Sequence, residues 1–264
     1  MLRKIFLASC LFAAVSCSTV PVTGRRQLDL VPDSQMLSMS FSEYDAFLKQ
    51  NRLSSDAANT AMVKRVGQRI QQAVESYMAQ NNLSNELAGF QWEFNLVEDN
   101  TPNAWCMPGG KVVVYTGILP LTQNETGLAV VMGHEIAHAI AKHGNERMSQ
   151  GLAQQLGGVA LDVALSQKPA QTRNLFLTSY NVGSGLGLLK YGRTQESEAD
   201  HLGLIFMAMA GYDPQQAIPF WERMAAKSGG QAPPEFLSTH PSDQTRINDL
   251  RRLMPEAMKY YKPR

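Results

Sequence analysis

Cysteine is scarce, with three in 264 residues. Cys10 and Cys17 lie in the first seventeen positions, so the body of the chain keeps only Cys106 and no disulfide framework is implied. An excess of either charge is also missing. The formal net charge is +1 and the Lys and Arg residues are scattered, so the electrostatic footprint of a nucleic-acid binder or of a protein held to an anionic membrane surface is absent. Beyond the N-terminus no apolar run is long enough to span a bilayer, and there is no internal repeat or low-complexity tract. What is present is 44% hydrophobic residues, enough for a substantial core in one catalytic-sized domain.

The N-terminus differs from the rest. "MLRK" is a short basic region, and "IFLASCLFAAVS" is an apolar run of signal-peptide length, too short to span. It ends "AAVSC", which resembles a lipoprotein processing site; an ordinary secretory signal with an incidental cysteine is the alternative. The expected organisation is a lipoprotein signal peptide over 1–16, a lipid-anchored tether over 17–32 beginning at a lipidated Cys17, and a single catalytic domain over 33–264. Two or three acyl chains anchor stably where one does not, so membrane attachment is expected through the lipid anchor alone. Ser18 and Thr19 supply no retention acid, which predicts an outer-membrane lipoprotein on the periplasmic side of a bacterial envelope.

Residues 18–32, with two prolines and a glycine, read as an extended tether and then a docking segment. Apolar spacing of three and four predicts helices over 33–50 and 55–80. "FQWEFNLVED" alternates with period two, "KVVVY" follows a "PGG" turn, and with "NAWCM" they predict a small sheet of about three strands. After Tyr115 the pattern is helical, over 123–143, 145–165, 193–210, 214–228 and 243–253. "SYNVGSGLGLLKYG" reads as a flexible loop or broken helix. The expected fold is α+β and mainly helical.

The chemistry concentrates in "GHEIAHAIAKHGNERM". His134 and His138 are four apart, one above the other on a helix and close enough to share one ion. Glu135, about 100° around from His134, can reach a water held by a metal and reads as a general base. The preceding "LAVVMG" is apolar all round, so the helix is buried, and buried imidazoles beside a carboxylate are costly unless paired or bound to metal. "TQNE" has capping-box spacing for its start, from Thr122 to Glu125. His143, nine residues from His134, falls about half a turn away and is expected to face away, near the helix C-terminus. Glu146 lies past the glycine taken to end the helix. The metzincin layout is excluded, because Ala141 and Gly144 occupy its glycine and third-histidine positions.

A catalytic zinc site needs a third protein ligand. "QESEAD" supplies Glu196 and Asp200, four apart on a predicted helix: Glu196 for the metal, Asp200 for the free ring nitrogen of a ligating histidine, His134 first among them. Acids that merely suit a helix N-terminus are the alternative. Glu198, off that face, is expected to be solvated. A deformylase-like amidase with Cys106 in place of Glu196 is a further possibility, one that leaves "QESEAD" unexplained.

HEIAH, then "QESEAD" in the E-x-x-A-D register, then "STHPSDQTR", resembles the HtpX and CaaX-prenyl-protease family of gluzincin zinc metallopeptidases. The nearest likeness is to the soluble periplasmic BepA/LoiP-like lipoprotein branch, with the mitochondrial Oma peptidase as a cousin. "VPVTGRRQL" and "NAWCMPGGKVVVYTGIL" extend the likeness over most of the chain. The resemblance implies a zincin-like domain with one Zn2+ per chain on His134, His138 and Glu196, Glu135 as base, and Asp200 as outer partner. It further implies His240 near the metal, as oxyanion donor or resting-state fourth ligand, and a basic Arg246 close by. Lys111, Val112, Val113, Val114 and Tyr115 would form an edge strand pairing with extended substrate. The expected activity is cleavage of unfolded or misassembled envelope proteins. The alternative is a zinc-bound chaperone or assembly factor with gated or residual proteolysis.

Overall fold

The computed structural model describes residues 17–21, 23–156, 169–182, 192–227, 236, 240 and 244–263. The expected signal peptide, and most of the glycine-rich run after Tyr180, lie outside them. Strands β1 (Cys17–Thr19) and β2 (Arg26–Leu28) pair antiparallel. Helices α1 (Asp33–Gln50) and α2 (Ala57–Gln80) follow, close to their predicted spans. Strands β3 (Glu93–Val97), β4 (Ala104–Met107) and β5 (Lys111–Tyr115) precede a single turn of helix, α3 (Leu119–Thr122). The rest is helical: α4 (Glu125–Ile140), α5 (His143–Leu156), α6 (Pro169–Ser179), α7 (Arg193–Met209), α8 (Ala217–Lys227) and α9 (Gln244–Tyr260). Among the described residues no helix is long and apolar enough to cross a membrane.

The three-stranded sheet has the order β3-β5-β4, with β3 parallel and β4 antiparallel to β5. "PGG" makes the β4–β5 turn, Gly109 and Gly110 both at positive φ, +81° and +79°, where a side chain would be strained. Every residue of β5 is buried because both sheet faces are covered. Val112 and Val114 join the core with α2, α4 and α7, while Val113 and Tyr115 pack with Tyr44, Trp105, Met148 and Phe176. This corrects one expectation. Lys111, Val112, Val113, Val114 and Tyr115 form the central strand, hydrogen-bonded on both sides, and cannot add a further strand. The outer strand that packs on α4 is β4.

Helix α4 starts at Asn124, whose side chain accepts from Gly127 N at 2.9 Å; the expected Thr122/Glu125 capping box is not used, and Glu125 pairs with Arg65 instead. Every residue from Gly127 to Ile140 is buried. The most extensive helix contact is α4 on α7, and it is close because two glycines meet there: a Cβ on Gly203 would lie 3.1 Å from Gly133 C and His134 N. Helix α4 ends at Ile140, earlier than predicted, because Lys142 adopts φ 57° and turns the chain before α5 begins at His143.

The segment read as tether and docking region is docked from Val20 onward, which is buried in the core. Gln27 Nε2 donates to Ala141 O at 2.9 Å, Leu30 N donates to Ser149 Oγ at 2.9 Å, and Val31 is buried.

Candidate metal centre

Three elements bring four side chains together. His134 and His138 stand one turn apart on α4, ring centroids 4.6 Å apart. Glu196, in the first turn of α7, places Oε2 3.4 Å from His134 Nε2 and Oε1 3.3 Å from His138 Nε2. His240 enters from before α9, its Nδ1 3.1 Å from His134 Nε2 and 2.9 Å from Glu196 Oε1. All four are buried, and one donor atom from each lies within 4.8 Å of the others. Cys106 is buried in β4 and stands outside this group.

The donor set fits zinc. A tetrahedral ion with ligands at 2.0–2.1 Å has donor–donor edges of about 3.3 Å. His134 Nε2 to His138 Nε2 is 3.1 Å, and the whole set of edges quoted spans 2.9–3.4 Å. Ring nitrogens that approach one another this closely cannot all be satisfied by hydrogen bonds among themselves, because each neutral imidazole carries a single proton. Burial holds His138 well below the usual imidazole range, which keeps a lone pair for a cation. Burial also opposes ionisation of Glu196, but the electrostatic influence of His240, Arg246 and His134 around it outweighs burial and keeps the carboxyl well below its ordinary value.

Glu135 lies beside the ligands. It is buried, Oε1 has no hydrogen-bond partner among the described residues, and His240 Nε2 lies 3.4 Å from it. Burial raises its pKa, with partial relief from His240 and His134. A buried acceptor left open beside a ligand cluster suits a group that takes up a proton.

Asp200, one turn after Glu196, accepts from His134 Nδ1 at 3.0 Å, the partnership expected from the spacing. Arg246 locks both acids. Its Nε and one terminal nitrogen reach Asp200 Oδ2 and Oδ1 at 2.8 and 2.6 Å, and the other terminal nitrogen reaches Glu196 Oε2 at 2.9 Å. The guanidinium lies 3.4 Å from the Trp221 ring centroid. Trp221 stacks on Phe236 at 5.8 Å, and Phe236 on His240 at 4.7 Å. Sequence reasoning missed both aromatics, since nothing marks Trp221 among the apolar positions of an amphipathic helix.

Two expectations are corrected. His143 does not face away: its Nδ1 is 2.9 Å from His138 Nδ1 and its Nε2 is 3.1 Å from Glu198 Oε2. A half-turn separation from His134 holds only in an unbroken helix, and the left-handed Lys142 breaks this one. Glu198 is not solvated. It is buried, accepting from Thr23 Oγ1 at 2.7 Å and from Arg25 Nε at 3.0 Å, and although burial works against it, bonds to His143, Arg25 and Thr23 hold its pKa down to about 2. Glu146 lies past the end of the HEIAH helix, as expected, in the first turn of α5, and pairs with Arg25 at 2.8 Å.

Residues 64–254, which include His134, His138, Glu196 and Arg246, match peptidase family M48. The mitochondrial metalloendopeptidase OMA1 of Schizosaccharomyces pombe is 34% identical over 90% of this chain and 66% of its own length. The Saccharomyces cerevisiae protein of the same name is 30% identical over 98% and 75%. The β-barrel assembly-enhancing protease of Escherichia coli is 26% identical over 90% of this chain and 47% of its own. Relatives carrying the mitochondrial name also occur in Arabidopsis thaliana and Homo sapiens, of which the chain spans 35% and 46%. These mitochondrial relatives in fungi, plants and animals overturn the expected placement on the periplasmic side of an outer membrane. With the family match covering most of the chain and the ligand cluster inside it, the chain belongs to peptidase family M48 and is a metalloendopeptidase.

Proposed function

We propose that the chain is a zinc endopeptidase acting on unfolded or misassembled proteins, with one Zn2+ per chain on His134, His138 and Glu196. The observation that carries this is the near-tetrahedral spacing of buried nitrogen and oxygen donors around one point. Held by these residues, the ion would supply Lewis acidity at the scissile carbonyl and would lower the pKa of water to about 7. Glu135 takes a proton from the attacking water and returns it to the leaving amine. Asp200 fixes the His134 tautomer, and Arg246 holds Glu196 and Asp200 in place without touching substrate. Strand β4, which among the described residues has a strand neighbour only on the β5 side, is the strand against which an extended peptide would align. Main-chain pairing there reads little sequence, which suits unfolded chains. The name of the Escherichia coli relative, a protease that enhances assembly, supports the same substrate class.

Replacing Glu135 by Gln tests the reading. Casein cleavage should vanish while zinc content stays near one per chain; surviving cleavage would refute the role of Glu135.

One observation favours a gated enzyme. His240 sits between the base and the ligands, and its backbone N donates to Phe236 O at 2.9 Å, while Phe236 N donates to Pro102 O at 3.2 Å, just before β4. A substrate carbonyl and its attacking water need the space His240 fills. In a gate, His240→Ala raises casein cleavage severalfold. If His240 instead donates to the oxyanion, the same change lowers cleavage about 10² to 10³-fold.

A further inference from the structure

The two ligand histidines are backed differently. His134 Nδ1 meets a carboxylate directly, whereas His138 Nδ1 meets a second imidazole. For His138 Nε2 to face the donor cluster, its proton must be on Nδ1, and His143 Nδ1, 2.9 Å away, must accept it. The His143 proton then lies on Nε2, 3.1 Å from Glu198 Oε2. Ionised Glu198 is held in turn by Thr23 Oγ1 at 2.7 Å and by Arg25 Nε, 3.0 Å from both carboxylate oxygens. Every link permits a single direction of donation.

Arg25 also joins the elements on which this chain of bonds rests. Its two terminal nitrogens donate to Glu146 Oε1 and Oε2 at 2.8 Å, and Gln195 Nε2 donates to the same Glu146 Oε2 at 2.7 Å. One planar guanidinium thus spans Glu146 at the start of α5 and Glu198 on α7, which the single ammonium of lysine cannot do.

We propose that Thr23 and Arg25, between the two N-terminal strands, are positioning residues of the metal centre, acting through Glu198 and His143 to fix the tautomer and ring orientation of His138. The N-terminal segment is therefore part of the site's outer shell, about 170 residues in sequence from the Glu198 it holds. The inference rests on His138 being a zinc ligand, as proposed above. Outer partners of metal-bound histidine are worth about 10- to 100-fold in metal affinity, which sets the expected effect.

The test is zinc affinity of the full chain, by competition with a chromophoric chelator, together with 1H–15N correlation of imidazole nitrogens, a tractable spectrum for five histidines. Arg25→Ala is expected to weaken zinc binding about 10- to 100-fold, and Arg25→Lys to recover part of the loss. His143→Ala should weaken it similarly, and the double variant Arg25→Ala/His143→Ala should be no worse than the stronger single variant, because both act along one path. Gln27→Ala is the control: it releases the same segment from Ala141 O but does not touch Glu198, and should bind zinc within about twofold of wild type. Wild-type zinc affinity in Arg25→Ala, an equal loss in Gln27→Ala, or additive losses in the double variant would each overturn the proposal. Should Arg25→Ala not fold, Thr23→Val and the wild-type spectrum decide. The zinc-loaded wild type must show His138 protonated on Nδ1, and protonation on Nε2 overturns the relay. His138→Ala separates the two levels of inference: if it abolishes zinc binding while Arg25→Ala keeps full affinity, only the relay fails, and if both keep full affinity, the ligand assignment itself fails.

Discussion

Replacing Arg246 by Ala should be the most damaging single change outside the ligands. Its guanidinium is buried, makes two hydrogen bonds to Asp200 and one to Glu196, and covers the Trp221 face at 3.4 Å. Truncation leaves two buried carboxylates, Glu196 and Asp200, without the cation they share. Breaking a buried ion pair by removing one partner costs about 3–5 kcal/mol. Against a total stability of about 5–15 kcal/mol, that is a large fraction. With a urea m-value of about 3 kcal/mol per molar, the midpoint of the zinc-loaded protein should fall by about 1 to 1.7 M at unchanged m. Zinc affinity should fall about 10- to 100-fold, because Glu196 loses a fixed partner and Asp200 its hold beside His134. Arg246→Lys keeps the charge but loses the fork, and should recover less than half of the stability. A midpoint shift below about 0.2 M in Arg246→Ala, with zinc affinity intact, would refute the view that this cation organises the acids.

Two further outcomes follow from the same geometry. Gly203→Ala would place a methyl 3.1 Å from backbone atoms of Gly133 and His134, neither of which can swing aside; the overpacking cost of about 1–3 kcal/mol should exceed the helix-propensity gain of about 1 kcal/mol, so Tm and zinc affinity should both drop, and a raised Tm with intact zinc binding would contradict this. Glu198, held near 2 against an ordinary 4.5, contributes stability that is fully present above about pH 4.5 and is lost as pH falls toward 2; urea midpoints measured from pH 6 to 3 should therefore decline more steeply in wild type than in Glu198→Gln, and parallel curves would show that its ionisation is not coupled to folding.

Much of the site could be read from the chain itself. The spacing of His134, Glu135 and His138 fixes their relative positions wherever an uninterrupted helix forms, and the all-round apolar run before them shows that this helix is buried. The pairing of Glu196 with Asp200 followed from the same four-residue rule, and the structure places Asp200 on His134 as that rule implied. The three-stranded sheet was also legible, because alternation and the "PGG" turn are local signals.

Neighbours within a few residues therefore set the approximate helix and strand spans and which side chains share a helix face. Long-range packing supplied what local neighbours could not. Strand order is set by pairing between distant segments, so the central place of Lys111 to Tyr115 had no local mark. His143 joined the site because Lys142 turned left-handed and ended the periodicity that had excluded it. Glu198 meets His143, and Thr23 and Arg25 meet Glu198, because α7 and the N-terminal segment pack against the start of α5, and no rule of spacing relates residues that far apart. A buried metal centre needs its ligands' unused hydrogen-bonding groups satisfied, and those partners come from wherever the folded chain brings a charge within about 3 Å.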